Sequence, residues 1–205
     1  MQLESVRVIY FSPTGSTKKI LDSITRGLSV KKINNVDLTD LETRRKNRLT
    51  VEEDLAVIGV PVYAEKIPPF LRECLEAIKG NGRPAVLVSV YGNIGKGTAL
   101  DELRSLCARN GLVAVAAAAF IGEHSFCSSH LHIAKGRPDS KDIELAEVFG
   151  KKIARKLSLA ETPDRASAAI PESKLSFVAR IVPRNGERLV TRQPEAYPGR
   201  CTKCG

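Results

Sequence analysis

The sequence predicts a doubly wound α/β fold: five parallel strands in one sheet, helices on both faces, and an extended C-terminal arm. Three observations carry this expectation. Apolar, β-branched runs alternate with stretches of helical spacing along the first three-quarters of the chain. Two of the runs, Leu55-Ala56-Val57-Ile58-Gly59-Val60 and residues 84–91, are almost continuously apolar, as strands buried on both faces must be. From residue 160 onward Pro163, Pro171, Pro183, Pro194 and Pro198 interrupt every possible helix.

In chain order, Val6-Arg7-Val8-Ile9-Tyr10-Phe11 reads as the first strand and stops at Ser12-Pro13-Thr14-Gly15-Ser16-Thr17. A helix over 16–28 follows from the spacing of Ile20, Leu21, Ile24 and Leu28. Ile33 and Val36 mark a second strand over 32–38, and 40–49 is polar, a short surface helix or loop. The third strand, 55–60, runs into a loop over 61–69 and a helix over 70–79. The fourth, 84–91, leads through a loop at 92–98 to a helix over 99–110, closed by Gly111. An Ala-rich fifth strand spans 112–121. An irregular loop covers 122–137, and a last amphipathic helix, 142–157, presents Ile143, Val148, Ile153 and Leu157. Within the arm, residues 177–182 and 188–191 flank Asn185-Gly186, a hairpin-type signal weakened by Pro183.

A chain of 205 residues provides one full domain and more, with a sizeable core. No apolar run approaches the roughly 18 residues a membrane span needs. The first residues lack a basic-then-apolar leader, and five cysteines, unevenly spread, argue against a disulfide framework, so a reducing cytoplasm is expected. The formal charge is +9, concentrated in Arg44-Arg45-Lys46-Asn47-Arg48, in Lys151-Lys152 with Arg155-Lys156, and in the arm. With aromatics at 5%, no nucleic-acid reader is expected. The first two clusters read as solvated faces. The arm, with Arg180, Arg184, Arg188, Arg192, Arg200 and Lys203, suits an acidic protein partner.

In open α/β sheets ligands sit beyond the carboxyl ends of the strands, where strand order reverses. The loops at 12–17, 61–69 and 91–98 converge there. The first holds four hydroxyls, Ser12, Thr14, Ser16 and Thr17, and one Gly, at the start of a helix. Its free amides and the helix dipole suit a phosphate dianion without any Lys or Arg. An ordinary helix N-cap, with Ser12 or Thr14 capping and Gly15 easing the turn, explains the same residues. Gly92-Asn93-Ile94-Gly95-Lys96-Gly97-Thr98 is no P-loop, since Thr98 follows Gly97 directly with no Lys between. A cysteine phosphatase and a two-component receiver are likewise disfavoured. All three histidines, His124, His130 and His132, fall in one loop with Cys127. His124-x-x-Cys127-x-x-His130 has zinc-compatible spacing, but zinc ligands usually come from more than one element. A loop that packs on the ligand's edge or docks a partner is the other reading.

Ser12-Pro13-Thr14-Gly15-Ser16-Thr17 resembles the loop with which flavodoxins hold the FMN phosphate. The chain as a whole resembles the fused flavodoxin–ferredoxin proteins of anaerobes. The other stretches carrying the likeness are Pro61-Val62-Tyr63-Ala64, Val90-Tyr91-Gly92-Asn93, Ala119-Phe120-Ile121-Gly122-Glu123-His124-Ser125, Gly136-Arg137-Pro138-Asp139 and Cys201-Thr202-Lys203-Cys204. The resemblance implies a flavodoxin-like sheet of order 2-1-3-4-5 and FMN at the cleft. Ser12, Thr14, Gly15, Ser16 and Thr17 would cradle the phosphate. Tyr63 and Tyr91 would flank the ring, Val62, Gly92 and Asn93 would supply edge contacts, and Pro13, Pro61 and Ala64 complete the cofactor-binding loops.

It also implies three segments: an FMN domain over 1–158, a linker over 159–200, and the start of a ferredoxin-type domain over 201–205. Cys201 and Cys204 match the first two ligands of Cys-x-x-Cys-x-x-Cys-x-x-x-Cys-Pro, and two thiolates cannot fill the four sites of a [4Fe-4S] cluster. The expectation is a chain that holds flavin but no intact cluster, and passes electrons between flavin and iron–sulfur centres when a ferredoxin domain, its own or an acidic partner's, completes it. Two alternatives stand beside this. One is a flavin-dependent reductase of a quinone or other small acceptor, with His124 as proton donor. The other is a non-redox binding scaffold.

Overall fold

The computed structural model describes residues 1–46 and 48–173. The strands β1 (Ser5–Tyr10), β2 (Lys32–Asp37), β4 (Leu55–Pro61), β6 (Pro84–Tyr91) and β7 (Val113–Ile121) form one sheet in the order β2-β1-β4-β6-β7, all parallel. Counting only these strands, the order is the expected 2-1-3-4-5. The central strands β4 and β6 are buried almost throughout, which is why their sequences are continuous apolar runs instead of alternating ones.

Alternation along β1 divides the core in two. Val6, Val8 and Tyr10 face one side with Ile20, Leu21 and Ile24 of α1 (Ser16–Leu28) and Ile153 and Leu157 of α5 (Ser140–Leu159). Ile9 and Phe11 face the other, with Leu75 of α3 (Arg72–Glu76) and Leu103 and Leu106 of α4 (Ala99–Arg109). Each fully buried Leu or Ile contributes about 1.5–3 kcal/mol. Two glycines let α1 and α5 touch: a Cβ on Gly27 would lie 2.1 Å from Glu147 O, and one on Gly150 2.1 Å from Ile24 O.

Several elements depart from the expectation. The helix expected over 70–79 is a 3₁₀ turn, Pro69–Leu71, then the short α3, and then β5 (Ile78–Lys79), which pairs with β3 (Leu49–Thr50) in a separate two-stranded sheet. Pro68 and Pro69 set the start, and the pairing with β3 draws Ile78 and Lys79 out of the helix. Residues 40–49 hold α2 (Leu41–Arg45), started by Asp40, whose carboxylate accepts the Thr43 N–H at 2.7 Å. The last helix begins before 142 because Asp139 caps it, with Asp142 returning the bond to the Asp139 N–H.

Ile33, which marked the second strand, and Val148, an apolar position of the last helix, are 47% and 38% exposed; β2 is an edge strand. Arg44, read as part of a solvated cluster, is half-buried with its guanidinium 5.7 Å and 5.3 Å from the ring centroids of Phe11 and Phe70. Beyond α5, Ala166 and Ile170 are buried in the two cores, so the first residues of the arm pack on the body. The hairpin-type signal around Asn185-Gly186 and the pair Cys201 and Cys204 lie outside the described residues. No described helix is long and apolar enough to cross a membrane.

Candidate functional site

The loops after β1, β4, β6 and β7 emerge at the same end of the sheet because these strands are parallel neighbours. After β1 the chain turns at once: Gly15 N–H donates to Ser12 O at 3.1 Å, and Gly15 takes φ +80°, where a side chain would be strained. Ser12 Oγ accepts the Lys18 N–H at 3.0 Å, and the Ser12 N–H donates to Thr39 Oγ1 at 2.8 Å. Gly15 holds the N-cap position of α1, and Ser12, three residues before it, takes up one of the helix's first N–H groups and anchors the loop. The amides of Thr14, Ser16 and Thr17 find no acceptor among the described residues, and the Thr14 and Ser16 hydroxyls stand 3.5 Å apart beside them. Three free N–H groups and two hydroxyls at a helix N-terminus form an anion cradle.

The loop after β4 folds into a two-residue hairpin, with Tyr63 and Lys66 exchanging both backbone hydrogen bonds (3.0 and 2.9 Å). Ala64 and Glu65 at its tip have φ +46° and +65°, the left-handed conformation of a type I′ turn. The loop after β6 is latched onto this hairpin: the Thr98 N–H donates to Glu65 O at 2.8 Å, and a Cβ on Gly97 would lie 1.9 Å from that same oxygen. The segment after β7 closes the fourth side. Gly122 N–H donates to Tyr91 O at 2.9 Å, and the His124 ring occupies the space where a Gly92 side chain would begin, 2.4 Å from that position. Behind it, Glu123 N–H donates to Arg137 O, Gly136 N–H to Glu123 Oε2, and the Arg137 guanidinium pairs with Asp142.

The cleft so formed is lined by Pro13, Thr14, Ser16 and Thr17 on one wall and by Pro61, Val62, Tyr63, Tyr91 and Gly92 on the next two. Ser12, Gly15, Ala64 and Asn93, also expected at the site, do not line it: Ser12 is bonded to the start of α1, and the other three take positive φ at turns. Val90, Gly122, Glu123, His124 and Ser125 complete the lining; they were not among the expected cofactor contacts, although their loop was expected to pack on the ligand's edge or dock a partner, with His124 as proton donor in the reductase alternative. Their signal was positional, since 122–125 directly follow the strand beside β6. Tyr63 is 41% exposed and Tyr91 half-buried, and partial burial pushes the Tyr63 hydroxyl pKa up. His124 Nδ1 accepts the Phe126 N–H at 3.0 Å, so the neutral ring carries its proton on Nε2. No three His, Cys, Asp or Glu side chains gather to hold a metal among the described residues, and zinc through His124, Cys127 and His130 has no such geometry.

The cleft has a volume of about 110 Å³ and opens to solvent between these loops. A larger cavity of about 630 Å³ lies beside β7, bounded by Leu100, Ala117 and Ile170, and lacks the amide cradle.

The fold and the position of the cleft define a doubly wound α/β protein of the flavodoxin-like order. A model of the flavodoxin domain matches residues 7–120, more than half of the chain, and the chain belongs to that family. A flavodoxin from the domain Archaea superposes with a TM-score of 0.52 at 19% identity, over 75% of this chain and 99% of that one. The Streptococcus pneumonia TIGR4 flavodoxin gives 0.52 at 17% identity, over 74% and 99%. The apo form of an NADH:FMN oxidoreductase gives 0.56 at 16%, over 82% and 97%. At these identities the likeness is one of fold. No curated protein matches the chain.

Proposed function

We propose that this chain is an FMN-binding electron-transfer protein. One observation carries the reading: three amides with no acceptor among the described residues and two hydroxyls at the start of α1 open into a cleft with tyrosines on its rim. The donor set fits a phosphate dianion, and family membership supports flavin mononucleotide as its bearer. A bound flavin supplies one- and two-electron redox chemistry.

The chain's own residues do the rest. Thr14, Ser16 and Thr17 bind the phosphate through amides and hydroxyls, with the α1 dipole behind them. Tyr63 and Tyr91 shield the ring from water, and stacking adds about 0.5–1.5 kcal/mol for each. Gly92 leaves room for the His124 ring to pack on the cleft wall, and the Gly97–Glu65 latch holds two loops in one position. Electron transfer needs no general acid, base or nucleophile. Exchange with iron–sulfur centres is the part of the proposal that rests on Cys201, Cys204 and the sequence resemblance.

A second reading, a flavin-dependent reductase of a quinone or similar acceptor, draws on His124. This residue lines the cleft with its Nε2–H free of the Phe126 contact. Titration of apoprotein with FMN, followed by quenching of flavin fluorescence, tests the first reading. Saturation at one flavin per chain, with riboflavin about 100-fold weaker for want of the phosphate, is expected. No uptake overturns it. Steady-state turnover of NADH with a quinone, lost in His124→Ala, selects the second reading.

A further inference from the structure

We infer that Thr39, from the segment after β2, is a positioning residue for the phosphate cradle, and that its hydroxyl sets the preference for a phosphorylated flavin over riboflavin. This rests on the flavin reading and deepens it. Thr39 does not line the cleft, and it acts through Ser12. The residue is itself held from both sides. Leu38 N–H donates to Tyr10 O at 2.6 Å and the Leu38 side chain is buried, which pins the chain after β2 to the end of β1. The Thr39 N–H donates to Asp37 Oδ1 at 2.8 Å. The same carboxylate meets the Tyr10 hydroxyl, which burial first and then Asp37 push up to a pKa of about 12, so the phenol keeps its proton for that bond. With its backbone fixed in this way, Thr39 presents Oγ1 to the Ser12 N–H at 2.8 Å.

From Ser12 this order passes into the cradle. Ser12 O accepts the Gly15 N–H at 3.1 Å, and Ser12 Oγ accepts the Lys18 N–H at 3.0 Å. Ser12 is thus tied to Thr39 on one side and to the first turn of α1 on the other. The amides of Thr14, Ser16 and Thr17, which have no acceptor among the described residues, stand along the stretch between these ties. Donors already aimed at an anion lose little on binding it, whereas donors that must first be ordered give back part of each bond. Without an acceptor on residue 39 the half-buried Ser12 amide has to turn to water, and the loop it anchors loosens with it. Tyr63 and Tyr91, proposed for the ring, stand on other loops, so only the phosphate's share of the binding depends on Thr39.

The test uses the full chain as apoprotein, titrated in parallel with FMN and with riboflavin. Thr39→Val keeps the shape of the side chain and removes the acceptor, and Thr39→Ser keeps the hydroxyl. Thr39→Val should raise the FMN dissociation constant about tenfold and leave that of riboflavin within about twofold, narrowing the gap between the two ligands. Thr39→Ser should bring FMN binding back to within about threefold of the parent. Amide hydrogen exchange reads the same tie in the parent chain, where no variant has to fold. After correction for intrinsic rates, the Ser12 N–H should exchange about tenfold more slowly in the apoprotein than those of Thr14, Ser16 and Thr17. FMN should slow these three and leave Ser12 nearly as it was.

A parent chain that takes up no FMN defeats the functional reading, and the inference with it. If the parent loads but Thr39→Val binds FMN as well, or more tightly because the freed Ser12 amide joins the anion, the positioning inference alone fails. Equal losses for FMN and riboflavin would make Thr39 a residue of the fold only. Thr39→Ser as weak as Thr39→Val would show that the hydroxyl is not what acts. A Ser12 amide that exchanges as fast as its three neighbours in the parent apoprotein would remove the tie itself.

Discussion

The two ends of the sheet are built on opposite terms. At the amino ends of the strands two carboxylates, Glu53 and Asp54, tie the elements to one another. Glu53, before β4, accepts from Arg7 Nε at 2.7 Å and from Asn34, tying β1 to β2. Asp54 Oδ2 accepts from the Glu4 N–H, the Ser5 N–H and the Ser5 hydroxyl at 2.9–3.0 Å. The terminal ammonium of Met1 donates to Leu157 O and Ala160 O. At the carboxyl ends, the amides of Thr14, Ser16 and Thr17 stand without acceptors among the described residues, and Ala64, Glu65 and Asn93 hold left-handed backbone, as Ser29 and Asn81 do at the other end. Stability is concentrated at one end, and unspent interaction at the other. A binding cleft sits where the chain has left its own groups unsatisfied.

The largest expected effect lies at the satisfied end. Burial alone would raise the Glu53 pKa, but its bonds to Arg7 and Asn34 prevail and hold it at about 2, against an ordinary 4.5. A depressed carboxylate contributes stability that is fully present above the unfolded value and lost as pH falls toward the folded one. Glu53→Gln should therefore cost about 3 kcal/mol at pH 7, measured by urea unfolding. The gap between parent and variant should close between pH 4.5 and about 2. FMN affinity should not change. A loss of affinity equal to the loss of stability would break the division between the two ends.

At the other end the expected effects reverse. Thr14→Ala/Ser16→Ala removes two hydroxyls and no core contact. It should weaken FMN by about 2 kcal/mol, roughly 30-fold in Kd, with unfolding free energy unchanged within about 0.5 kcal/mol. Calorimetric titration beside urea unfolding of the same apoprotein separates the two quantities. A stability loss comparable to the binding loss would mean that these hydroxyls serve the fold.

The same division decides what the sequence makes legible. The five-stranded sheet and its cleft could be read because their signals are local: continuous apolar runs at 55–60 and 84–91, and a Pro-Thr-Gly break after β1. The β3–β5 sheet could not, since strands of two residues have no period and their pairing joins Leu49 to Ile78 across distant sequence. Arg44 looked like one cation in a basic run, and only the approach of Phe11 and Phe70 makes it a packed side chain. Of the cleft, the walls that end strands were visible. The wall at 122–125 was less so, because its place depends on Gly122 bonding to Tyr91 and His124 filling the space over Gly92. Ser12 read either as a phosphate ligand or as a helix cap, and the bond it accepts from the Lys18 N–H decides for the second.

The smallest effect sharpens the contrast most. Ala64 is exposed at the hairpin tip with φ +46°, a conformation costing an L-residue other than Gly or Asn about 1–2 kcal/mol. Asn tolerates it through local hydrogen bonding and, unlike Gly, adds no unfolded-state entropy penalty. Ala64→Asn should accordingly raise unfolding free energy by about 0.5–1 kcal/mol and Tm by about 2 °C, read by calorimetry of the apoprotein. Substitutions at Glu53 or Asp54 can only destabilise, because every bond there is already made. If the strain merely shapes the hairpin, FMN affinity stays where it was, since Asn keeps the turn. If the strained peptide lets the hairpin swing to admit the ring, relieving it holds the hairpin in its present position. FMN association then slows while dissociation is unaffected, and stopped-flow binding distinguishes the two cases.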